Sequence, residues 1–211
     1  MFTRSKFAVN VSIPGLFNVF NAMLAASVCM KLGIDLDTIA EGLKSVKGVS
    51  GRMESLPAEG FDFSVILDFA HTPDGLSNLL SAVQGFAKGR VIAVFGCGGD
   101  RDNAKRPIMG ATAAKLADFC VVTSDNPRTE DPTRIINMVL EGVRSEKTEY
   151  VVIENRREAI RYALNIAKKD DVVVLAGKGH ENYQEINGIK HPFDEKIIVA
   201  EILEDMRCGR K

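Results

Sequence analysis

The sequence of 211 residues lacks the features by which several classes of protein are recognised. The first seven residues contain no apolar core of signal-peptide length, and no apolar run approaches the length that spans a membrane. The four cysteines are widely spaced without a CxxC pair, as in a reduced protein without a disulfide frame or a zinc site. A formal net charge of −1 gives no reason to expect binding to nucleic acid or to an anionic membrane. We therefore expect a soluble protein of the cytoplasm.

Two phosphate-binding motifs are also missing. No GxGxxG follows the first buried strand, which ranks a dinucleotide-dependent dehydrogenase low, and no GxxxxGK[ST] phosphate loop occurs anywhere. The nearest approach is the segment Gly96–Gly99, whose backbone N–H groups could cradle a phosphate but which is equally typical of a tight turn. We predict no catalytic residue and no metal ligand in this sequence.

The chain does contain a regular alternation of strands and helices beyond residue 50. Apolar residues make up 45% of the sequence, enough for a sizeable core. This alternation predicts a Rossmann-like α/β fold, a mainly parallel sheet with helices on both faces. An extra edge strand with an Asn187-Gly188 turn is predicted at Gln184–Ile189, and a closing helix at 194–206. Asp131-Pro132 is predicted to begin a helix as an N-cap followed by proline. The other predicted strands are 63–69, 91–95, 119–123, 150–153 and 172–176, and the other predicted helices are 75–86, 105–117, 133–143 and 156–167.

The first fifty residues follow a different pattern. A strand is predicted at Phe7–Val11, a helix at residues 16–32 that ends at Gly33, and a second short helix at 35–43. The polar, glycine-containing stretch 47–52 is typical of a linker. We therefore predict two domains, 1–49 and 50–211.

Polar residues follow four of the predicted strands at the point where each ends. The carboxyl ends of parallel strands share one edge of a sheet, so these four loops are expected to surround one crevice. Taken singly, each residue also has an ordinary explanation as a turn, a helix cap or a solvated charge. Lys178 and His180 are suggestive by position only. The loops are Asp68–Asp74, Gly96–Asp102, Ser124–Asp131 and Gly177–Asn182.

Together, these loops resemble those of the Mur ligase family, in particular its branch that adds meso-diaminopimelate to a UDP-sugar dipeptide. The order and spacing of the motifs make the resemblance specific, and it runs through nearly the whole chain. The motifs are Pro14–Ala22, Gly51–Glu54, Asp68–Asp74, Gly96–Arg101, Asp125–Arg128 and Gly177–Glu181.

The resemblance implies part of a three-domain, ATP-dependent ligase of peptidoglycan precursor synthesis. Residues 1–49 would be the end, a helical remnant, of the central ATP-binding domain, and residues 50–211 the C-terminal, amino-acid-binding domain. ATP and Mg²⁺ would be bound mainly by upstream parts that this sequence does not contain. We therefore expect a fragment that is inactive alone, and a monomer. Its substrates would be UDP-N-acetylmuramoyl-L-alanyl-D-glutamate and meso-diaminopimelate, joined through an acyl phosphate.

The resemblance also implies roles for five residues on the ATP side. Asn21 would contact adenine, with Asn18 supporting that loop. Arg52 and His71 would contact the ribose or phosphates of the nucleotide, and Asp68 would orient that wall of the site.

A second set of residues would bind meso-diaminopimelate by its distal end, which carries both a carboxylate and an ammonium. By the resemblance, two arginines would bind the carboxylate, and a glutamate with a glycine carbonyl would bind the ammonium. L-Lysine has no distal carboxylate and would leave Arg128 unpaired beside a cation. The implied substrate residues are Arg101, Asp125, Asn126, Arg128, Gly177 and Glu181.

Two alternatives remain open at this level. One is the sister ligase that adds L-lysine. The other is a non-catalytic module that binds an amino acid or muropeptide, which the absence of a phosphate loop favours.

Overall fold

The computed structural model describes residues 7–11, 13, 15–46 and 48–209. The chain divides into two compact units, residues 1–49 and residues 50–211. In the part of the chain that is described, no helix combines the length and apolar character needed to cross a bilayer.

The first unit contains two described helices, α1 (Leu16–Lys31) and α2 (Leu36–Ser45). Asp35 caps α2, and its carboxylate accepts hydrogen bonds from the backbone N–H and the hydroxyl of Thr38, at 2.9 and 2.7 Å. The strand predicted at Phe7–Val11 is wrong, because these residues have no regular secondary structure. The described residues of this unit form no strand with which the segment could pair through backbone hydrogen bonds.

The second unit is organised around a six-stranded sheet in the order β1-β2-β6-β3-β4-β5. Strands β2 to β6 are parallel, and β1 pairs antiparallel with β2, so the predicted mainly parallel sheet is confirmed. No sequence pattern indicated β1, which is only three residues long. The strands are β1 (Glu54–Leu56), β2 (Ser64–Asp68), β3 (Val91–Phe95), β4 (Phe119–Val122), β5 (Glu149–Val152) and β6 (Val172–Ala176).

Helices cover both faces of this sheet, as predicted. Helices α3 (Pro73–Gln84), α4 (Lys105–Leu116) and α5 (Pro132–Val143) pack side by side on one face. Helices α6 (Arg156–Ile166) and α7 (Glu195–Arg207) cover the other face. Strand side chains point alternately to the two faces, so both layers of helices close over fully buried aliphatic residues.

The core under α6 and α7 shows this alternation clearly. Val65 and Leu67 of β2 belong to it, whereas Ile66 between them does not. Burying a valine or leucine side chain completely contributes about 1.5–3 kcal/mol, so this layer holds α6 and α7 firmly against the sheet.

A separate hairpin replaces the predicted edge strand at Gln184–Ile189. Strands β7 (Tyr183–Ile186) and β8 (Ile189–Pro192) form a separate two-stranded sheet, so the predicted turn is present but the segment is not an edge strand of the main sheet. Asn187 and Gly188 have φ values of 49° and 76°, which reverse the chain in a two-residue turn. The hairpin is tied to the loop after β4, because the Arg128 N–H donates to the Glu185 carbonyl at 3.0 Å.

The predicted cap at Asp131-Pro132 is confirmed at the start of α5. The Asp131 carboxylate accepts from the backbone N–H of Thr133 at 2.9 Å, and Pro132 is the first helical residue. This cap ends the loop that carries Asn126 and Arg128 and fixes where α5 begins.

Candidate functional site

The four polar loops meet at one edge of the sheet, as the order of the strands requires. The Gly177 N–H donates to the Asp68 carbonyl at 3.0 Å, and the Gly99 N–H donates to the Asn126 carbonyl at 2.9 Å. Strands β2, β6, β3 and β4 are neighbours in that order, so their carboxyl ends form one continuous rim.

Asn126 lies at the centre of this rim and is only 3% exposed. Its side-chain oxygen accepts hydrogen bonds from the Lys178 ammonium and from the Glu185 backbone N–H, both at 2.9 Å. Its side-chain nitrogen donates to the Glu181 carboxylate at 2.9 Å. The amide therefore joins the loop after β4, the loop after β6 and the hairpin.

Arg128 is held in a left-handed backbone conformation, with φ at 51°. A non-glycine residue in this region is uncommon and is often found where function requires it. Its Nη1 donates to the Gly99 carbonyl at 2.8 Å, and its Nε lies 3.3 Å from the Glu185 carboxylate. Nη2 has no partner among the described residues. Nε and Nη1 are thus held by the protein, and Nη2 is left for a ligand oxygen.

Lys178 is completely buried beside Asn126. Its ammonium also donates to the Tyr183 carbonyl at 2.8 Å and lies 3.5 Å from the Glu181 carboxylate. Burial lowers the pKa of Lys178, and the nearby carboxylates of Asp125 and Glu181 oppose that shift. The ammonium therefore has polar partners in place of the water it has lost.

A buried ion pair lies below the loop after β4. Arg156, at the start of α6, donates from Nε to Glu195 of α7 at 2.7 Å and from Nη2 to the Ala176 carbonyl at 2.9 Å. Its Nη1 lies 3.8 Å from the Asp125 carboxylate. Burial alone would lower the pKa of Arg156, but Glu195 and Asp125 raise it, so the guanidinium stays charged.

Gly177 leaves room for the Asp125 carboxylate. A Cβ at position 177 would lie 2.7 Å from Asp125 Oδ2, and φ at 122° disfavours any side chain there. The predicted substrate residues Asp125 and Gly177 are therefore packed against each other.

A further ion pair joins α4 to the loop after β4. Arg106 is fully buried and forms a bidentate ion pair with Glu130, in which Nη2 donates to Oε1 at 2.7 Å and Nη1 donates to Oε2 at 2.9 Å. These hydrogen bonds hold the pKa of Glu130 at about 2. Glu130 in turn accepts from the Asp100 N–H at 2.6 Å. Arg101, a predicted substrate residue, is exposed at the surface, where Nη1 donates to the Asp100 carbonyl at 2.9 Å.

The predicted nucleotide residues of the second unit form a different kind of surface. The Arg52 guanidinium lies 5.0 Å from the centre of the Phe69 ring, and the rings of His71 and His180 lie 4.6 and 5.2 Å from it. Arg52, His71 and His180 are exposed. We call Arg52, Phe69, His71 and His180 the aromatic cluster.

Asp68 connects the two backbone segments that carry this cluster. Its buried carboxylate accepts from the Met53 and Ala70 N–H groups, each at 2.7 Å, and so links the segments that carry Arg52 and His71. Burial raises the pKa of Asp68, although these two hydrogen bonds act in the opposite direction. Asp68 is thus placed to orient the cluster.

The remaining predicted nucleotide residues lie in the first unit. The Asn21 side chain donates to the Asn18 side chain at 3.3 Å on α1. Their roles, like those of the other site residues, stay predictions.

Sequence reasoning gave little weight to several residues of the site. Lys178 drew attention only through its position after β6, and Phe69 only as a member of its motif. Arg156 and Glu195 drew none, because a charged residue in the first turn of a helix ordinarily faces solvent. Only the packing of α6 against α7 reveals that both are buried.

No group of three or more histidine, cysteine, aspartate or glutamate residues within the described segments could hold a metal ion.

Comparison with known proteins places this arrangement in a family. A family model described as the Mur ligase, glutamate ligase domain, matches residues 51–179. Over 95% of its length the chain is 54% identical to the UDP-N-acetylmuramoyl-L-alanyl-D-glutamate–2,6-diaminopimelate ligase of Caldanaerobacter subterraneus subsp. tengcongensis. Over 94% of its length it is 50% identical to ligase 1 of the same name from Clostridium acetobutylicum. The chain spans 41% of the length of each of these relatives.

Solved structures agree with this result. One, also described as a UDP-N-acetylmuramoyl-L-alanyl-D-glutamate–2,6-diaminopimelate ligase, is 39% identical with a TM-score of 0.73. The match covers 95% of this chain and 41% of that one. A UDP-N-acetylmuramate-alanine ligase from Thermotoga maritima, 21% identical over 96% of this chain and 40% of its own, has a TM-score of 0.69 and supports the fold alone. The chain therefore belongs to the Mur ligase family.

Proposed function

We propose that this chain is the amino-acid-binding portion of an ATP-dependent ligase that adds meso-diaminopimelate to UDP-N-acetylmuramoyl-L-alanyl-D-glutamate. The proposal rests on the names of relatives about 50% identical over nearly the whole chain. We assign residues 1–49 to the end of a central ATP-binding domain and residues 50–211 to the C-terminal domain. The whole ligase would act as a monomer in the cytoplasm.

The observation that carries the choice of amino acid is the half-held guanidinium of Arg128. Its side chain is 18% exposed, and its Nη2 has no partner among the described residues. A carboxylate at the distal end of meso-diaminopimelate would complete this fork with charge-assisted hydrogen bonds. L-Lysine would bring no carboxylate to it. Glu181, beside Asn126, would bind the distal ammonium.

The reaction needs the distal end to be held because the chemistry occurs at the other end. The γ-phosphoryl group of ATP passes to the D-glutamate carboxylate and leaves ADP and an acyl phosphate. The unprotonated amine of meso-diaminopimelate then attacks the acyl carbon; the C–N bond forms, the bond to phosphate breaks, and the amine loses a proton. Such a transfer depends mainly on the position of the amine, and binding of the distal end by the protein would fix that position.

The aromatic cluster is our candidate for the surface that meets the nucleotide. An exposed guanidinium and two imidazoles around one ring suit phosphate and ribose oxygens. Asn18 and Asn21 are our candidates for contacts to adenine. Mg²⁺ accompanies ATP in this family, and we assign no residue of this chain to it.

Isothermal titration of this chain with meso-diaminopimelate tests the proposal. We expect binding of meso-diaminopimelate and none of L-lysine. Arg128→Ala should weaken binding by about tenfold to a hundredfold, because a charge-assisted hydrogen bond is worth roughly 1.5–3 kcal/mol. Arg144→Ala is the matched control, since Arg144 is exposed at the far end of α5 and bonds to Tyr150.

Each contrary outcome is informative. Equal or tighter binding of L-lysine, unaffected by Arg128→Ala, would assign the chain to the lysine-adding sister ligase. If Arg128→Ala binds meso-diaminopimelate as tightly as the unmodified chain, a residue other than Arg128 binds the distal carboxylate. The exposed Arg101 would then be tested next.

A further inference from the structure

Lys178 is an unusual residue to find at the floor of a ligand site. It is completely buried, yet its ammonium has three polar partners: the Asn126 side-chain oxygen, the Tyr183 carbonyl and the Glu181 carboxylate. The rings of Tyr183 and Phe193 lie 5.9 and 5.8 Å from the ammonium. A lysine enclosed in this way cannot reach a ligand itself and must act through its neighbours.

The first neighbour is the Asn126 amide, whose two ends have different chemistry. An ammonium and a backbone N–H can only donate, and the Lys178 ammonium and the Glu185 N–H both point at the same end of the amide. That end must therefore be the oxygen. The NH₂ group is then directed toward Glu181, to which it donates at 2.9 Å.

The second neighbour is the Glu181 carboxylate. Its Oε2 receives the Asn126 amide and lies 3.5 Å from the Lys178 ammonium. Oε1 has no partner among the described residues. One oxygen of the carboxylate is thus held by the protein, and the other is presented to whatever enters the site.

We propose that Lys178 is a positioning residue for amino-acid recognition, which orients the Asn126 amide and the Glu181 carboxylate so that Glu181 Oε1 faces the ligand ammonium. This proposal rests on the proposed function for the identity of the ligand, but the orientation itself is a property of the chain without ligand.

Lysine suits this task better than an apolar side chain of the same length. A methionine would fill the same space but would leave the Asn126 oxygen with one donor instead of two and the Tyr183 carbonyl with none. The positive charge also lies 3.5 Å from Glu181 Oε2 and attracts that carboxylate, an interaction that a methionine would remove.

NMR of the ligand-free chain tests the orientation directly. We expect the Lys178 ammonium protons to exchange slowly and to show cross-peaks to the Asn126 amide in the unmodified protein. Lys190 supplies the internal reference, because its ammonium also lies against the Tyr183 ring, at 4.0 Å, but on an exposed residue. Lys178 protons that exchange as fast as those of Lys190 would overturn the proposal, whether or not any variant folds.

The variants Lys178→Met and Lys190→Met then separate positioning from general stability. In Lys178→Met, exchange of the Asn126 side-chain amide protons should quicken at least tenfold and their resonances should move, while the core backbone resonances of the sheet stay in place. Lys190→Met should change neither. An Asn126 amide that is unaltered in Lys178→Met would refute the role we assign.

Titration with meso-diaminopimelate completes the test. We expect at least tenfold weaker binding to Lys178→Met and unchanged binding to Lys190→Met. Unchanged affinity in Lys178→Met would count against the proposal. If the unmodified chain does not bind meso-diaminopimelate, the proposed function loses its support, while the NMR result still decides whether Lys178 orients Asn126.

Discussion

The two halves of the rim are built in opposite ways. On one side, Asn126, Lys178 and the buried pair Arg156–Glu195 are almost fully enclosed and joined by hydrogen bonds of 2.7–2.9 Å. On the other side, Arg52, His71 and His180 surround Phe69 as exposed side chains in contact with its ring, and the His71 ring also shares a hydrogen bond of 2.8 Å with the Phe69 carbonyl. We call the first the enclosed half, because its side chains are buried and ordered without ligand, and the second the open half, because its side chains are exposed to solvent.

This difference has a thermodynamic meaning for ligand binding. Groups that the protein has already ordered lose little entropy when a ligand binds. Immobilising an exposed side chain costs about 0.5–1.5 kcal/mol of binding free energy. A small amino acid offers few contacts and therefore needs an ordered site. A nucleotide brings many polar groups and can order flexible side chains around itself.

The largest expected effect comes from removing the buried ion pair between Arg156 and Glu195. Arg156→Met should lower the free energy of unfolding by about 3–5 kcal/mol, because it leaves Glu195 buried without its partner. Urea denaturation measures this loss. The neighbouring variant Arg157→Met removes a partly exposed pair with Glu201 and should cost less than about 1 kcal/mol.

A second substitution shows whether the missing charge or the missing bulk is responsible. Arg156→Met combined with Glu195→Gln should recover much of the stability, because the uncompensated carboxylate is gone. Equal losses for Arg156→Met and Arg157→Met would show that the buried pair does not support the enclosed half.

The next largest effect is expected from Gly177→Ala. The added Cβ would approach Asp125 Oδ2 to 2.7 Å, so we expect a loss of about 1–3 kcal/mol of stability from overpacking together with backbone strain. Gly188→Ala is the control, since φ is also positive there but no atom lies within 4 Å of the added Cβ. Thermal denaturation of both variants separates steric contact from strain, and similar melting temperatures would contradict the contact.

Acid should lower the stability of the folded protein through Glu130. Arg106 holds the pKa of Glu130 at about 2 in the folded protein, below its ordinary value of 4.5. A depressed carboxyl pKa contributes stability above the ordinary value, and that contribution disappears as the pH falls from about 4.5 to about 2. The difference in urea midpoint between the unmodified chain and Glu130→Gln should therefore shrink over this range.

Glu141→Gln provides the comparison for this titration, because Glu141 is an exposed residue of α5. A difference between the unmodified chain and Glu130→Gln that stays constant from pH 5 to pH 2 would rule out the pair with Arg106 as its cause.

The smallest effect is expected in the open half. Arg52→Ala removes an exposed guanidinium from the face of Phe69 and should cost less than about 1 kcal/mol of stability. Urea denaturation of Arg52→Ala beside Arg156→Met gives the comparison in one experiment. A loss as large as that of Arg156→Met would show that the aromatic cluster is as tightly built as the enclosed half.

Local sequence signals predicted most of the architecture of the second unit. The apolar runs gave five of its strands, and Asp131-Pro132 gave the start of α5, because patterning and capping depend on neighbouring residues. The same reasoning failed at Phe7–Val11, where the described residues of the first unit offer no partner strand. At Gln184–Ile189 it predicted the Asn187-Gly188 turn but placed the segment at the edge of the main sheet, whereas it belongs to a separate hairpin.

The sequence by itself determined the parallel α/β sheet and the loops that carry the candidate site, since strand ends and loop motifs are local. It also brought Asn126, Arg128 and Glu181 to one rim through the rule that parallel strands share an edge. Only the tertiary structure decided which charges are buried. Lys178 and Arg156 have the sequence context of solvated residues, and only the hairpin and α7 packed over them enclose the one against Asn126 and the other against Glu195. The physical reason is that burial depends on what packs above a residue, and those segments lie far away along the chain.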